Sequence, residues 1–205
     1  MSAFDDAPLV QCETRAEWRA WLEANHATAT SAWLVTWRTG SGRPVLGYEA
    51  GVEEALCFGW VDSRPGNVDE HRSKLYYAPR KPRSGWARTN KARVERLIAA
   101  GLMAPAGLVA IERAKANGGW EMLDEVEDLV VPLDLQAALD ASPPAAANWE
   151  AFPPSARRGI LEWIRQAKRP ETRAARIAET STLAARNERA LQPPPKTRGV
   201  RGPRT

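Results

Sequence analysis

The segment ETRAEWRAWLEANHATATSAWLVTWR (residues 13–38) combines the pattern of a helix with that of a strand. Thr14 and Glu17 have the S/T-x-x-E spacing of a capping box, in which each side chain accepts a hydrogen bond from a backbone N–H of the other residue. Apolar residues then recur at helical spacing, which predicts a first helix from about 15 to 25. The string AWLVTWR (residues 32–38) alternates instead with a period of two, which predicts a half-buried strand.

Two further segments have the pattern of strands. FGWVDS (residues 58–63) follows a short helical segment, YEAGVEEALC. RSKLYYAP (residues 72–79) alternates Leu75 and Tyr77 against polar side chains and Tyr76. The connection between them is short, which predicts an antiparallel pair. We therefore expect an α+β fold, with a small antiparallel sheet of about three strands that is covered by helices and followed by a C-terminal helical segment.

The chain after the third strand is predicted to be helical. Ser84 is a candidate N-cap for a helix that ends at Gly101, and Pro105 suits the first turn of another helix, 105–116. Proline pairs then divide the chain into four short helices, and the tail from Pro193 has no apolar pattern. The predicted organisation is a flexible N-terminus (1–13), an α+β core domain (14–131), a C-terminal helical segment packed on the core (132–191) and a disordered basic tail (192–205).

Charge is segregated along the 205 residues, although the net charge is only +4. The net charges of the successive blocks 1–71, 72–96, 97–156 and 157–205 are −6, +8, −7 and +9. Blocks of alternating sign can neutralise one another in the folded protein. A basic isoelectric point is therefore weak support for an anionic partner.

Several functional classes are disfavoured by the sequence. No apolar run approaches 18 residues, and the N-terminus MSAFDDAPLVQCETR is acidic, so we expect neither a membrane span nor a secretory signal, and a cytoplasmic location. Cys12 and Cys57 form no disulfide framework, and Cys57 lies in an apolar run that favours a core position over a thiol dyad with His71. His26 and His71 fit no metal-ligand spacing, and the phosphate-binding and nucleophile motifs are missing, so we expect no metal or cofactor.

The basic stretch YYAPRKPRSGWARTNKARVERL (residues 76–97) contains the first candidate site. Its proline-rich part presents arginines from a stiff loop just before a predicted helix N-terminus, a combination that suits a phosphate or carboxylate. Trp86 and Asn90 could flank the same position, whereas residues 91–96 resemble a solvated helix face. The alternative is a purely structural role for the whole stretch. The candidate ligand-binding residues are Arg80, Arg83, Ser84, Trp86 and Asn90.

A second candidate position lies at the end of the FGWVDS strand. Trp60 and Asp62 share one face there, so that a carboxylate leaves an aromatic patch and could act as a base or pair with an arginine. The alternative is that Asp62 and Ser63 accept hydrogen bonds from turn amides. Trp60 and Trp86 are the candidates for stacking on a ligand, because both lie beside polar loops. Asp62 and Ser63 are further candidate ligand-binding residues.

Four strings resemble the bacterial YdeI/OmpD-associated family, which is also called the bacteriocin-protection or OmdA-like family. They are EEALCFGWVDS, PRKPRSGWARTNKARVERLIAAGLMAPAGLVAIERAK, VPLDLQAAL and AKRPETRAARI, and the resemblance extends over about residues 15–190. It implies a small α+β domain with a helical C-terminal part, and an association with envelope stress and resistance to antimicrobial peptides. It implies no catalytic residues. The segment GGWEMLDEVEDLVVP departs from the family pattern by its acidic insert.

Three functional hypotheses follow. The first is a cytoplasmic stress or antimicrobial-peptide-resistance protein that binds a small anionic or aromatic ligand in an Arg/Trp-lined pocket. The second is a nucleic-acid-binding protein that uses the basic blocks 80–96 and 157–176. The third is a small enzyme with Asp62 as general base. Arg173 and Arg176 are expected to pair with the acidic stretch 121–128 or to complete the first site, and the oligomeric state is left open.

Overall fold

The computed structural model describes residues 4–191, and the chain divides into two compact units, the first ending at Asp124 and the second beginning at Glu125. The predicted boundary lay after residue 131, and the predicted disordered tail lies outside the described residues. The strands are β1 (Leu9–Gln11), β2 (Ala32–Trp37), β3 (Trp60–Asn67) and β4 (Arg72–Pro79). The helices are α1 (Arg15–Asn25), α2 (Tyr48–Cys57), α3 (Arg88–Ala99), α4 (Pro105–Ala116), α5 (Asp124–Glu127), α6 (Leu133–Asp140), α7 (Pro143–Ala151), α8 (Pro154–Arg165) and α9 (Pro170–Ala185).

The sheet of the first unit has four strands in the order β1-β2-β4-β3. Strands β2, β4 and β3 are antiparallel neighbours, as predicted. The fourth strand, β1, pairs in parallel with β2, and the sheet is therefore mixed rather than purely antiparallel. Strand β1 lies within the segment that was predicted to be flexible, and its three residues are too few to give a recognisable alternation.

Helix α1 begins as predicted, because both hydrogen bonds of the Thr14–Glu17 capping box are formed. Its apolar face packs on the sheet. Trp18 is fully buried, stacks on Trp21 with 5.2 Å between the ring centres, and donates from its indole N–H to the carbonyl of Gly51. This packing joins the first helix to α2.

Strand β2 is more buried than the alternating pattern predicted. Its first four residues are all buried, so this part of the strand is covered on both faces. On the face opposite the helices, Trp33 packs against Phe4 and Tyr76, with ring centres 6.3 Å and 5.2 Å away. The alternation therefore predicted the strand correctly, but the face that carries Trp33 is covered by aromatic side chains and is not exposed to water.

Helix α3 begins later than predicted. Its N-cap is Ala87, and the Ser84 hydroxyl donates instead to the carbonyl of Lys81 in the preceding turn. The Trp86 amide donates to the carbonyl of Gly119, which holds this segment in an extended connection. The helix start predicted at Ser84 is therefore wrong. The Ser84 hydroxyl and the Trp86 amide, which would bond to each other if Ser84 were the N-cap, are bonded to Lys81 and Gly119 instead.

The second unit contains the four short helices predicted from the proline pairs, α6 to α9. Their buried residues form a core of their own, which includes Leu135, Leu139, Trp149, Ile160 and Ile164. Within residues 4–191 no helix is both long and apolar enough to cross a membrane.

The arginines of α9 have partners inside the second unit. Arg173 forms a two-point ion pair with Asp134, and Arg176 donates to the carbonyl of Trp163. The predicted pairing of these arginines with the acidic stretch 121–128 is therefore wrong. Asp134 lies on α6, and the contact between α6 and α9 brings it to Arg173.

Candidate functional site

A cleft of about 940 Å³ lies in the first unit beside β2, β3 and β4 and the segment that leads into α2. Gly47, the N-cap of α2, and Tyr48, its first residue, form part of the lining, so the N-terminal end of this helix lies beside the cleft. Apolar and polar side chains share the remaining wall. The main ones are Leu34, Val45, Leu46 and Leu75, together with Arg38, Asp62 and Ser63. The Lys74 ammonium lies instead over the Trp33 ring, on the opposite face of the sheet.

Asp62 lies in the cleft because of the strand pairing. It is opposite Tyr77 in the β3–β4 register, and a register shift follows directly, between Asp62 and Pro65. Such an irregularity bends an edge strand and reorients its side chains. The Asp62 carboxylate accepts a hydrogen bond from the Tyr48 hydroxyl at 3.2 Å, so two strands and one helix meet at this carboxylate.

The Tyr77 hydroxyl lies in the wall of the same cleft. Tyr77 has no exposed surface, and its hydroxyl has no hydrogen-bond partner among the described residues. Burial, and then the neighbouring Asp62 charge, raises the pKa of Tyr77 far above its usual range, so this group is a neutral donor. A buried hydroxyl without a partner is costly, so Tyr77 adds an unsatisfied donor beside the Asp62 carboxylate.

Arg93 connects the rim of the cleft with α3. Its guanidinium makes two hydrogen bonds to Glu49 and one, at 2.8 Å, to the side-chain oxygen of Asn90. Asn90 thus orients an arginine and does not line the cleft. The Arg93 charge also acts on Tyr48, whose pKa is raised by burial and by Asp62 and lowered by Arg93.

Arg80 is buried beside Trp86. Its guanidinium carbon lies 3.9 Å from the centre of the Trp86 ring, and one terminal nitrogen donates to the carbonyl of Gly85 at 2.7 Å. Burial lowers the pKa of Arg80 to about 10, with a smaller opposing effect of the Asp62 charge. Arg80 and Trp60 line a second cavity, of about 270 Å³.

Comparison with known families separates the two halves of the chain. Residues 128–187 match the model of a family described as Bacteriocin-protection, YdeI or OmpD-Associated. The chain carries a domain of this family. Residues 10–110 match a different model, a domain of unknown function designated DUF8412. No curated protein and no solved structure matches the chain.

The predicted resemblance is therefore confirmed, over a shorter range than expected. The strings VPLDLQAAL and AKRPETRAARI belong to the YdeI/OmpD-associated domain. The strings EEALCFGWVDS and PRKPRSGWARTN lie instead in the range of the domain of unknown function. Both cavities described above are formed by residues 26–113, outside the YdeI/OmpD-associated domain.

The structure distributes the predicted site residues over three environments. Asp62 and Ser63 line the large cleft, and Trp60 and Arg80 line the smaller cavity. The remaining four line neither of these cavities: Arg83, Ser84, Trp86 and Asn90. Trp86 is buried between Arg80 and Trp120, where it supports the Arg80 side chain.

Sequence reasoning missed Tyr48 and Tyr77 as cleft residues. The alternation in RSKLYYAP did place Tyr77 on one face with Leu75, but a shared strand face does not show that either residue lines a cavity. The sequence carries no signal of the pairing between Tyr77 and Asp62, because register depends on a partner strand.

The cysteines and histidines form no candidate chemical centre. Cys12 and Cys57 are buried free thiols, and burial, followed by the Glu17 charge, raises the pKa of Cys12 to about 11. Cys57 neighbours Arg19 and Glu54, whereas His71 is exposed and contacts Glu70. Among residues 4–191 no cluster of three or more potential metal ligands occurs.

Proposed function

We propose that the chain is a cytoplasmic protective protein whose first unit binds a small anionic or aromatic molecule in the cleft beside Asp62. The main supporting observation is the arrangement of Asp62, Tyr48 and Tyr77. A carboxylate that accepts one hydrogen bond lies next to a buried hydroxyl that makes none, in a cavity large enough for an organic molecule. The protective role rests on the family description of the second domain.

The composition of the cleft supports this ligand class. Its leucine and valine side chains offer an apolar surface for an aromatic ring. Arg38 and the N-terminus of α2 supply positive charge and donors, against the single carboxylate of Asp62. A ligand with an apolar body and an acceptor or anionic group therefore fits better than a cation.

The cleft can be tested by blocking it. Ser63 is exposed and lines the cleft, so Ser63→Trp fills the space without disturbing the core. We expect aromatic acids found by NMR screening to shift resonances of residues 34–48 and 62–77 in the parent protein, and Ser63→Trp to weaken this binding at least tenfold. The same variant should lose protection when bacteria that express the chain are exposed to an antimicrobial peptide.

Thr89→Trp is the matched control, because Thr89 is exposed on α3 and does not line the cleft. It should bind and protect like the parent protein. Ligands that shift other regions, or that bind Ser63→Trp unchanged, would exclude the cleft as the binding site.

An enzymatic role with Asp62 as general base is the second candidate. The hydrogen bond from Tyr48 and the proximity of Tyr77 place a carboxylate and two neutral donors together, an arrangement suited to proton transfer. Asp62→Asn should leave the affinity of an aromatic acid within about threefold of the parent value, because the shape is kept. If the site is catalytic, the same variant should lose about a hundredfold or more in the turnover of any ligand that is found to be converted.

Equal turnover by Asp62→Asn and the parent protein would remove the enzymatic role and leave the binding role intact. Tyr48→Phe, which removes the donor to the carboxylate and not the carboxylate itself, is the companion variant. It should have an intermediate effect on turnover if Asp62 is the base.

The described residues offer nothing in favour of nucleic-acid binding. Five cations of the two basic blocks that could contact phosphates are already ion-paired within their own unit. The pairs are Lys91 with Asp124, Arg93 with Glu49, Arg96 with Glu53, Arg157 with Glu150 and Arg173 with Asp134. Lysines and arginines that neutralise phosphates release the counterions of the nucleic acid, and cations already held in ion pairs contribute less to such binding.

A further inference from the structure

Two charged side chains are buried among residues 4–191, Glu54 and Arg80, and they differ in one respect. Glu54 is ion-paired with both Arg15 and Arg19. Arg80, only 6% exposed, forms no ion pair. Its Nε and Nη1 groups also lack any hydrogen-bond partner in the described part of the chain.

A buried cation in this state is unfavourable unless something compensates its charge. The Trp86 ring face and the Gly85 carbonyl compensate part of it. The nearest carboxylate that acts on it, Asp62, lies too far away for an ion pair and already accepts a hydrogen bond from Tyr48. The remaining charge and the two free N–H groups favour an anion that the protein itself does not supply.

Arg80 lines the second cavity, and the composition of that cavity agrees with an anion. It includes a second arginine, Arg113, and no aspartate or glutamate. Arg113 is exposed, and its guanidinium donates to the Arg80 carbonyl, so it lies beside the backbone of Arg80. The other lining residues are mainly apolar, and include Phe58, Trp60, Val109 and Ala110.

We propose that this cavity is a binding site for a small carboxylate with an apolar body, whose charge is compensated by Arg80 and Arg113. The guanidinium fork matches a carboxylate, and the aromatic and aliphatic lining matches the rest of the molecule. The volume of about 270 Å³ limits the ligand to roughly one ring or a short chain. This site is separate from the cleft at Asp62 and does not depend on the function proposed for that cleft.

Benzoate and benzamide form a probe pair that differs mainly in charge. In protein labelled with ¹⁵N, the side-chain Nε–H resonance of Arg80 reports directly on the proposed contact. At constant ionic strength we expect benzoate to shift this resonance saturably, and benzamide to bind at least tenfold more weakly. Inorganic phosphate, which lacks the apolar body, should bind more weakly than benzoate.

Val109 allows a charge to be added at this cavity without altering the core, because it lines the cavity and is 63% exposed. Val109→Glu places a competing carboxylate beside the two arginines and should weaken benzoate binding roughly tenfold or more. In Val109→Gln the new side chain has the shape of glutamate but no charge, so this variant should bind benzoate within about threefold of the parent protein. Ser63→Trp should also retain binding here, which separates this site from the cleft.

Arg80→Met gives a second measure. Replacing an unpaired buried cation by an apolar side chain is often neutral for stability, so this variant should fold. It should also lose the benzoate-dependent shifts of the backbone amides that line the cavity, such as those of Gly59 and Ala110. The proposal is overturned if benzoate shifts the Arg80 Nε–H resonance no more than chloride does at the same ionic strength. It is equally overturned if Val109→Glu, or a folded Arg80→Met, binds benzoate as tightly as the parent protein.

Discussion

Gly107→Ala is expected to lower the free energy of unfolding by about 3 kcal/mol or more, because the new methyl group has no space. A Cβ at this position on α4 would lie 2.2 Å from the carbonyl oxygen of Cys57 and 2.7 Å from the Met103 methyl group. The methionine can move, but the carbonyl cannot, since it ends α2 and accepts the Ala104 amide at 3.1 Å. Urea unfolding followed by tryptophan fluorescence measures the change.

Gly159→Ala is the matched control for this prediction. Gly159 also lies within a helix, α8, but nothing lies within 4 Å of its Cβ position. Alanine there should stabilise the protein by about 0.5–1 kcal/mol, since glycine costs helices that amount. If Gly107→Ala unfolds at the parent urea concentration, the close approach of α4 to the end of α2 is not present in solution.

Glu54→Gln is expected to cost about 3 kcal/mol, because it removes the negative charge from a buried ion-pair network. The Glu54 side chain is only 3% exposed, and its two oxygens accept hydrogen bonds from Arg15 and Arg19. Glutamine keeps the shape, but its amide nitrogen is a donor that would face a guanidinium. Both arginines lose their buried charge partner and keep only the more exposed Glu53 and Glu23. Urea unfolding again gives the magnitude.

The neighbouring variant Glu53→Gln is the control, because it also removes one negative charge but at a less buried position. Glu53 contacts Arg15 and Arg96, but its side chain is 17% exposed and Arg96 is largely in solvent. This variant should cost about 1 kcal/mol or less, as expected for pairs near the surface. Equal costs for the two variants would mean that the burial of Glu54 does not determine the strength of its network.

Glu54 also illustrates the limit of sequence reasoning about stability. The pair Glu53–Glu54 lies in a short predicted helix, where both residues have the same local pattern. The position of α1 over α2 decides which of the two is buried, through contacts between residues more than 30 positions apart. No local signal distinguishes them.

The candidate sites were predictable only in part. Asp62 was recognisable as a carboxylate at the end of an aromatic strand, and it does line a cleft. Arg80 was recognisable as a possible anion ligand, but its burial on Trp86 was not, because a proline-rich basic loop is usually exposed. The single predicted pocket became two cavities because Trp60 and Asp62, although on one strand, contact different helices and loops.

The sequence by itself determined the features whose signals lie within a few residues of one another. These are the start of α1 at its capping box, the alternation of β2 and β4, and the four helices separated by prolines. Only the tertiary structure decided that β1 joins the sheet, that Asp62 is opposite Tyr77, and that Arg80 is buried without an ion pair. The physical reason is that capping and periodicity arise from neighbouring backbone groups. Strand register and the burial of a charge depend instead on segments that meet only when the chain has folded.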